Sequence, residues 1–137
     1  RASLRPGRSL GHSGFVPLRC LIVDDSEEFL ASARGLLSAQ GLRIVATATT
    51  GEEALRLARD HRPDVVLVDV QLGEENGIEV ARRLGAETPA LAVILISTHP
   101  EEDLVDLTAD TPSLGFLAKS ALGANAILRL ANGPRDR

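Results

Sequence analysis

Asp64-Val65-Val66-Leu67-Val68-Asp69 is the stretch from which the fold can be read. Four consecutive apolar residues, three of them β-branched, run into an acid. An unbroken run of this kind predicts a strand buried on both faces, as in a parallel sheet covered by helices. Asp69 then falls at the strand's C-terminal end, the edge along which open α/β sheets form ligand crevices. An acid can also simply close a strand, so Asp69 takes its meaning from the rest of the chain.

Outward from this run, strands and helices alternate. Leu18–Val23 predicts an apolar strand that ends in Asp24-Asp25. Ser26 is placed to cap a helix through Gln40, with Phe29, Leu30, Ala33, Leu36 and Leu37 as its apolar stripe and Gly41 as its stop. Glu27 and Glu28 suit the positive end of that helix and need no further role. Leu42–Ala48 predicts a second strand, and Thr49-Thr50-Gly51 leads into a helix with Ala54, Leu55 and Ala58 inward, stopped by Pro63. After Asp69 comes a polar loop, Gln71 to Gly77, in which Glu74-Glu75 reads as solvated. Ile78, Ala81 and Leu84 then repeat at helical spacing, and a fourth strand, Ala90–Ile96, ends at Ser97.

Pro100 starts a short helix over Glu101–Ala109, broken by Pro112, and Leu114–Ala118 is a fifth strand ending at Lys119. Ser120 is expected to cap a last helix with Ala124, Ile127, Leu128 and Ala131 on one face. Five βα units in about 115 residues argue for a doubly wound, three-layer parallel sheet over residues 18–132. Residues 133–137 form a short C-terminal tail, and neither an internal repeat nor a second domain can be read.

Composition sets the outer bounds. Only three of the 137 residues are aromatic, so Leu, Val, Ile and Ala must fill the core. The single cysteine, Cys20, lies in an apolar strand and reads as a buried small hydrophobe. No apolar run approaches the length of a membrane span. Residues 1–19 carry four arginines and no acid, so with −4 overall the remainder carries −8. A body that acidic is a poor stand-alone nucleic-acid binder. The basic segment 1–17 is expected to be a disordered tail or linker, with a fainter likeness to a transit peptide.

The strand ends carry the chemistry. Asp24 and Asp25, Asp69, Ser97 and Lys119 close strands one, three, four and five, which places them along one sheet edge. Three carboxylates gathered there repel one another and raise some of their pKa values unless a cation sits among them. Carboxylates and waters suit Mg2+, with a position left for a phosphate oxygen. The Ser97 hydroxyl and the Lys119 ammonium both suit a phosphoryl group.

These residues carry a family resemblance over roughly Leu18 to Asn132. Asp24-Asp25, Asp69-Val70-Gln71-Leu72 leading to Asn76-Gly77, Ser97-Thr98, and Gly115-Phe116-Leu117-Ala118-Lys119 resemble the receiver domain of bacterial two-component response regulators. The resemblance implies a flavodoxin-like sheet of order 2-1-3-4-5. It also implies Asp69 as phosphoacceptor and Mg2+ held by Asp24, Asp25, Asp69 and the Gln71 backbone carbonyl. Ser97 and Lys119 would contact the phosphoryl group, and Phe116 would be the rotating switch aromatic. A sensor histidine kinase is the implied donor and the cytoplasm the implied location. Output would be by contact with a downstream protein, with homodimerisation left open. The chain departs from the family pattern at Gly73 and Ser120, which stand where prolines are common. Ser97 replaces the commoner threonine, and Phe116 the frequent tyrosine.

Other readings fit less well. A haloacid-dehalogenase-like phosphatase expects a second acid two residues after its nucleophile, where this chain has Gln71. A flavodoxin relative needs a phosphate loop after strand one, where Asp24-Asp25-Ser26-Glu27-Glu28 would repel the ligand. A pseudo-receiver scaffold is disfavoured because every key residue is in place. The expected protein is therefore a phosphoacceptor that assists its own chemistry rather than an enzyme. His12 and His61 read as solvated, while His99, two residues after Ser97, is near enough to touch the site.

Overall fold

Val65–Asp69 forms β3, and all five of its residues are buried. The computed structural model describes residues 17–104 and 115–132. The basic segment before them, the second half of the expected Glu101–Ala109 helix, its expected break at Pro112, the first residue of the expected Leu114–Ala118 strand, and the C-terminal tail lie outside the described residues.

Around β3 the elements follow the expected alternation. They are β1 (Arg19–Val23), α1 (Glu27–Ala39), β2 (Arg43–Ala48), α2 (Gly51–His61), then β3 and a short hairpin of β4 (Gln71–Leu72) and β5 (Glu75–Asn76). There follow α3 (Gly77–Glu87), β6 (Ala92–Ser97), α4 (Pro100–Leu104), β7 (Gly115–Ala118) and α5 (Ala124–Asn132). The main sheet has the order β2-β1-β3-β6-β7, and each neighbouring pair is parallel. Counting only these five strands, the order is 2-1-3-4-5, as expected.

Strand alternation divides the core in two. Leu21, Val23, Val66, Val68, Val93 and Leu95 meet Ala54, Leu55, Ala58, Ile78, Ala81 and Leu84 from α2 and α3. Cys20, Ile22, Val65, Leu67, Ile94 and Ile96 meet Leu30, Ala33, Leu37, Ala124, Ile127 and Ala131 from α1 and α5. A central strand covered on both faces has no polar side to show, which is why β3 lacks the apolar–polar alternation of a half-exposed strand. Cys20 is fully buried, and burial pushes its thiol up to about 12.

Local chemistry starts the helices where the sequence suggests. Ser26 Oγ accepts from Phe29 N at 3.1 Å, and Thr50 Oγ1 accepts from Glu53 N at 3.1 Å. Asn76 Oδ1 takes both Ile78 N and Glu79 N, at 2.9 and 3.3 Å. These bonds satisfy amide groups that have no partner within their own helix.

Two expectations are corrected. The polar stretch from Gln71 to Gly77 contains the β4–β5 hairpin, which turns through Gly73 at φ 62° and buries Leu72. The last helix does not begin at Ser120. Lys119–Ala121 forms a 3-10 turn, closed by Leu122 N donating to Lys119 O, and α5 starts at Ala124. Its first amide is satisfied from far along the chain, by Gln40 Oε1 at 2.7 Å.

Candidate functional site

The parallel strands deliver their C-terminal ends to one edge, and four charged residues meet there. Asp24 follows β1, Asp69 ends β3, and Lys119 follows β7. Asp24 is completely buried and Asp69 is 6% exposed, whereas Asp25 faces solvent. Oxygen atoms of these three carboxylates lie within 4.8 Å of one another.

Backbone hydrogen bonds fix the two buried carboxylates. Asp24 Oδ1 accepts from Ser26 N at 2.8 Å, and Asp69 Oδ1 accepts from Gln71 N at 3.1 Å. The other two oxygens turn to Lys119, whose Nζ is 2.7 Å from Asp24 Oδ2 and 3.3 Å from Asp69 Oδ2. Asp24 Oδ2 accepts no well-directed hydrogen bond, so its buried charge depends on that ammonium. Lys119 Nζ also lies 4.2 Å from the Phe29 ring centroid, a cation–π distance.

The electrostatics follow from this crowding. Burial, and then the charge of Asp24, raise the Asp69 carboxyl to about 6, against the Gln71 amide and Lys119, which lower it. For Lys119, burial works against the charged form. The close ion pair with Asp24 and the charge of Asp69 outweigh it and hold the ammonium above its ordinary value. The donor set is all oxygen, one buried oxygen lacks a directed donor, and acids outnumber the cation. Such a set fits a hard divalent ion.

Residues 20–130 match the model of the response regulator receiver domain. The chain belongs to that family. As a receiver it is 38% identical over 104 residues to a protein-glutamate methylesterase/protein-glutamine glutaminase of Haloarcula marismortui, covering 74% of this chain and 28% of that protein. It is 31% identical over 104 residues to the transcriptional regulatory protein PdtaR of Mycobacterium tuberculosis, covering 76% and 50%. The receiver thus spans half or less of the curated relatives it matches here. Among solved structures, the signal receiver domain of a modulated diguanylate cyclase from Desulfovibrio desulfuricans G20 aligns with TM-score 0.68 and 34% identity. That match covers 84% of this chain and 90% of the other.

Within the receiver, Asp24, Asp25, Asp69 and Lys119 come together as the sequence suggests. Ser97 is buried at its strand end, but its hydroxyl donates to Asp103 Oδ2 while its Oγ accepts from His99 N at 3.0 Å. His99 itself is exposed and meets Ser97 through its backbone. Phe116 is half-buried, opposite Leu95 in the ladder and packed against the core beneath α2 and α3. His61 is half-buried rather than fully solvated.

Three residues near the site escape sequence reasoning. Asp103 is 3% exposed, and its Oδ1 accepts from Gln71 Nε2 at 3.2 Å. In the sequence it is one acid of Glu101-Glu102-Asp103, which reads as helix-start charge. The available signal was Pro100, since a helix beginning there carries residue 103 back over the end of β6. Glu75, read as a solvated loop residue, bonds Gly51 N through both carboxylate oxygens, at 3.1 and 3.2 Å. Phe29, read as core stripe, lies against the Lys119 ammonium.

Proposed function

We propose that this receiver accepts a phosphoryl group on Asp69 from the phosphohistidine of a sensor histidine kinase or from a small phosphodonor. The observation that carries the reading is the Asp69 carboxylate at the end of a fully buried strand, with Asp24, Asp25 and Lys119 Nζ converging on it. Asp69 is the nucleophile: its oxygen forms the new O–P bond as the donor's P–N or P–O bond breaks. The Gln71 amide holds Oδ1 and so sets the direction of the carboxylate. A raised pKa makes Asp69 a more basic, and therefore better, nucleophile than an ordinary surface aspartate. Lys119, already within reach of Asp69, meets the transferred group's negative charge, and Ser97 offers it a hydroxyl.

Asp24, Asp25, Asp69 and the Gln71 backbone carbonyl are the proposed holders of Mg2+. When bound, the ion would offset the repulsion between an anionic nucleophile and an anionic donor. The protein is read as a phosphoacceptor acting in the cytoplasm, with output through contact with another protein and Phe116 as the aromatic that responds. Intact-protein mass spectrometry after incubation with acetyl phosphate tests the reading. The wild-type chain should gain one phosphoryl group with Mg2+ and almost none with EDTA, and Asp69→Asn should gain none in either. Equal labelling of Asp69→Asn would assign the acceptor elsewhere, and a wild-type chain that stays unlabelled with every donor would favour a scaffold.

A further inference from the structure

Ser97, Asp103 and Gln71 form a buried connection between the phosphoacceptor edge and α4. Among the described residues, the buried acids are Asp24, Asp69 and Asp103. The first two belong to the carboxylate cluster, and Asp103 stands outside it on α4. Both of its oxygens are engaged, Oδ2 by the Ser97 hydroxyl and Oδ1 by Gln71 Nε2 at 3.2 Å. Those donors sit on different elements, one at the end of β6 and the other two residues after Asp69. The backbone reinforces the arrangement, since His99 N donates to Ser97 Oγ at 3.0 Å and Asp103 N donates to His99 O at 3.0 Å.

We propose that Asp103 is a latch: in the resting receiver its carboxylate holds the Ser97 hydroxyl hydrogen, and phosphorylation of Asp69 must take that hydrogen away, loosening α4. The proposal rests on Asp69 being the phosphoacceptor and Ser97 a phosphoryl contact. A serine hydroxyl has one hydrogen to give, and an ionised carboxylate can only accept. The hydrogen that satisfies Asp103 is therefore the one a phosphoryl oxygen would need, and the two anions compete for it. If the phosphoryl group wins, Asp103 Oδ2 is left buried without a donor, an unfavourable state for any charged group. The relief available to it is movement of α4, which carries it, toward water. Gln71 ties the same acid to the phosphoacceptor loop, because its amide bonds Asp69 while its side chain bonds Asp103. The latch opposes activation, so removing it should favour the phosphorylated form by the free energy of the bond it breaks.

A simpler effect must be separated from this one, because a nearby negative charge also repels an incoming dianion. Beryllofluoride with Mg2+ is a suitable probe on the full chain, with its affinity read by fluorine NMR, since the sequence has no Trp or Tyr to report by fluorescence. Asp103→Ala should bind about tenfold more tightly than wild type, the scale of one charge-assisted hydrogen bond. Asp103→Asn keeps the shape and a weaker acceptor and should gain less, which also guards against a misfolded alanine variant. In a Ser97→Ala background, with no hydroxyl left to latch, both Asp103 substitutions should gain less than about twofold. Equal gains with and without the Ser97 hydroxyl would reduce Asp103 to a repelling charge and overturn the latch, as would no gain in either background. A wild-type chain that binds no beryllofluoride would overturn the phosphoacceptor reading and the latch with it.

Discussion

Asp69 is a carboxylate held where its own charge is unfavourable. Burial and the neighbouring Asp24 place its pKa at about 6 rather than the ordinary 3.8. The folded state therefore binds this proton more tightly than the unfolded chain does. The linked stability is fully present below about pH 4 and is lost as pH rises through about 6. The gap corresponds to about 3 kcal/mol, because each pKa unit is worth about 1.4 kcal/mol. Asp69→Asn cannot ionise and escapes the loss. In EDTA, denaturant titrations should show Asp69→Asn gaining stability on wild type between about pH 4 and 7, with little further change above. A wild-type-to-Asn difference that stays flat across that range would mean the carboxylate is not strained by its setting. This residue was legible in the sequence because an acid closing an all-apolar run has few places to be. Asp103 was not, because nothing local distinguishes it from Glu101 and Glu102; only the path of α4 buries it.

The β4–β5 hairpin and the start of α3 show how an element holds a site residue in place. Gly77 begins α3, and its N–H donates to Val70 O at 2.8 Å. A Cβ built there would lie 1.8 Å from the Asp69 carbonyl oxygen and 2.7 Å from that of Val70. Both obstacles are backbone, so no side-chain rotation relieves the clash, and the strand end itself must shift. Gly77→Ala should therefore destabilise the receiver by about 3 kcal/mol, at the upper end of ordinary overpacking. It should also slow acetyl phosphate labelling of Asp69, even at temperatures where the variant is folded. Near-wild-type melting and labelling would show that the loop gives way freely. The sequence marks this position with Asn76-Gly77, part of the family resemblance, but not the cap that Asn76 makes or the hairpin before it. Gln71-Leu72 and Glu75-Asn76 are too short for a periodic signal, and Glu75 finds Gly51 only through the tertiary fold. The start of α5 was missed for a similar reason. Ser120 is a plausible local cap, but the Lys119–Ala121 turn uses that backbone, and the acceptor for Ala124 comes from Gln40 instead.

At the scale of the whole molecule, strand order turns scattered residues into one charged edge. The sequence gives strand ends, and parallel winding puts them on the same side, which is why most of the cluster was legible before its geometry was known. The molecule stores a conflict there. Asp24, Asp25 and Asp69 converge, and Lys119 compensates only part of their charge. If these acids hold Mg2+, the ion has a formed site only in the folded chain, and mass action must then raise stability. At a hundredfold excess over its dissociation constant the gain is about 2.7 kcal/mol, or roughly 10 °C in melting temperature for a domain of this size. Asp25 is the exposed member and the easiest to alter without disturbing the core. Asp25→Asn removes one ligand charge, so the same millimolar Mg2+ should raise its melting temperature by less than half as much. The metal-free variant should melt at or above the metal-free wild type, because one like charge has left the cluster. Melts in EDTA and in Mg2+ must be compared at equal ionic strength, since salt alone screens the repulsion. Superimposable wild-type curves under those conditions would rule out a folded-state metal site at this edge, leaving Lys119 as its permanent counter-ion.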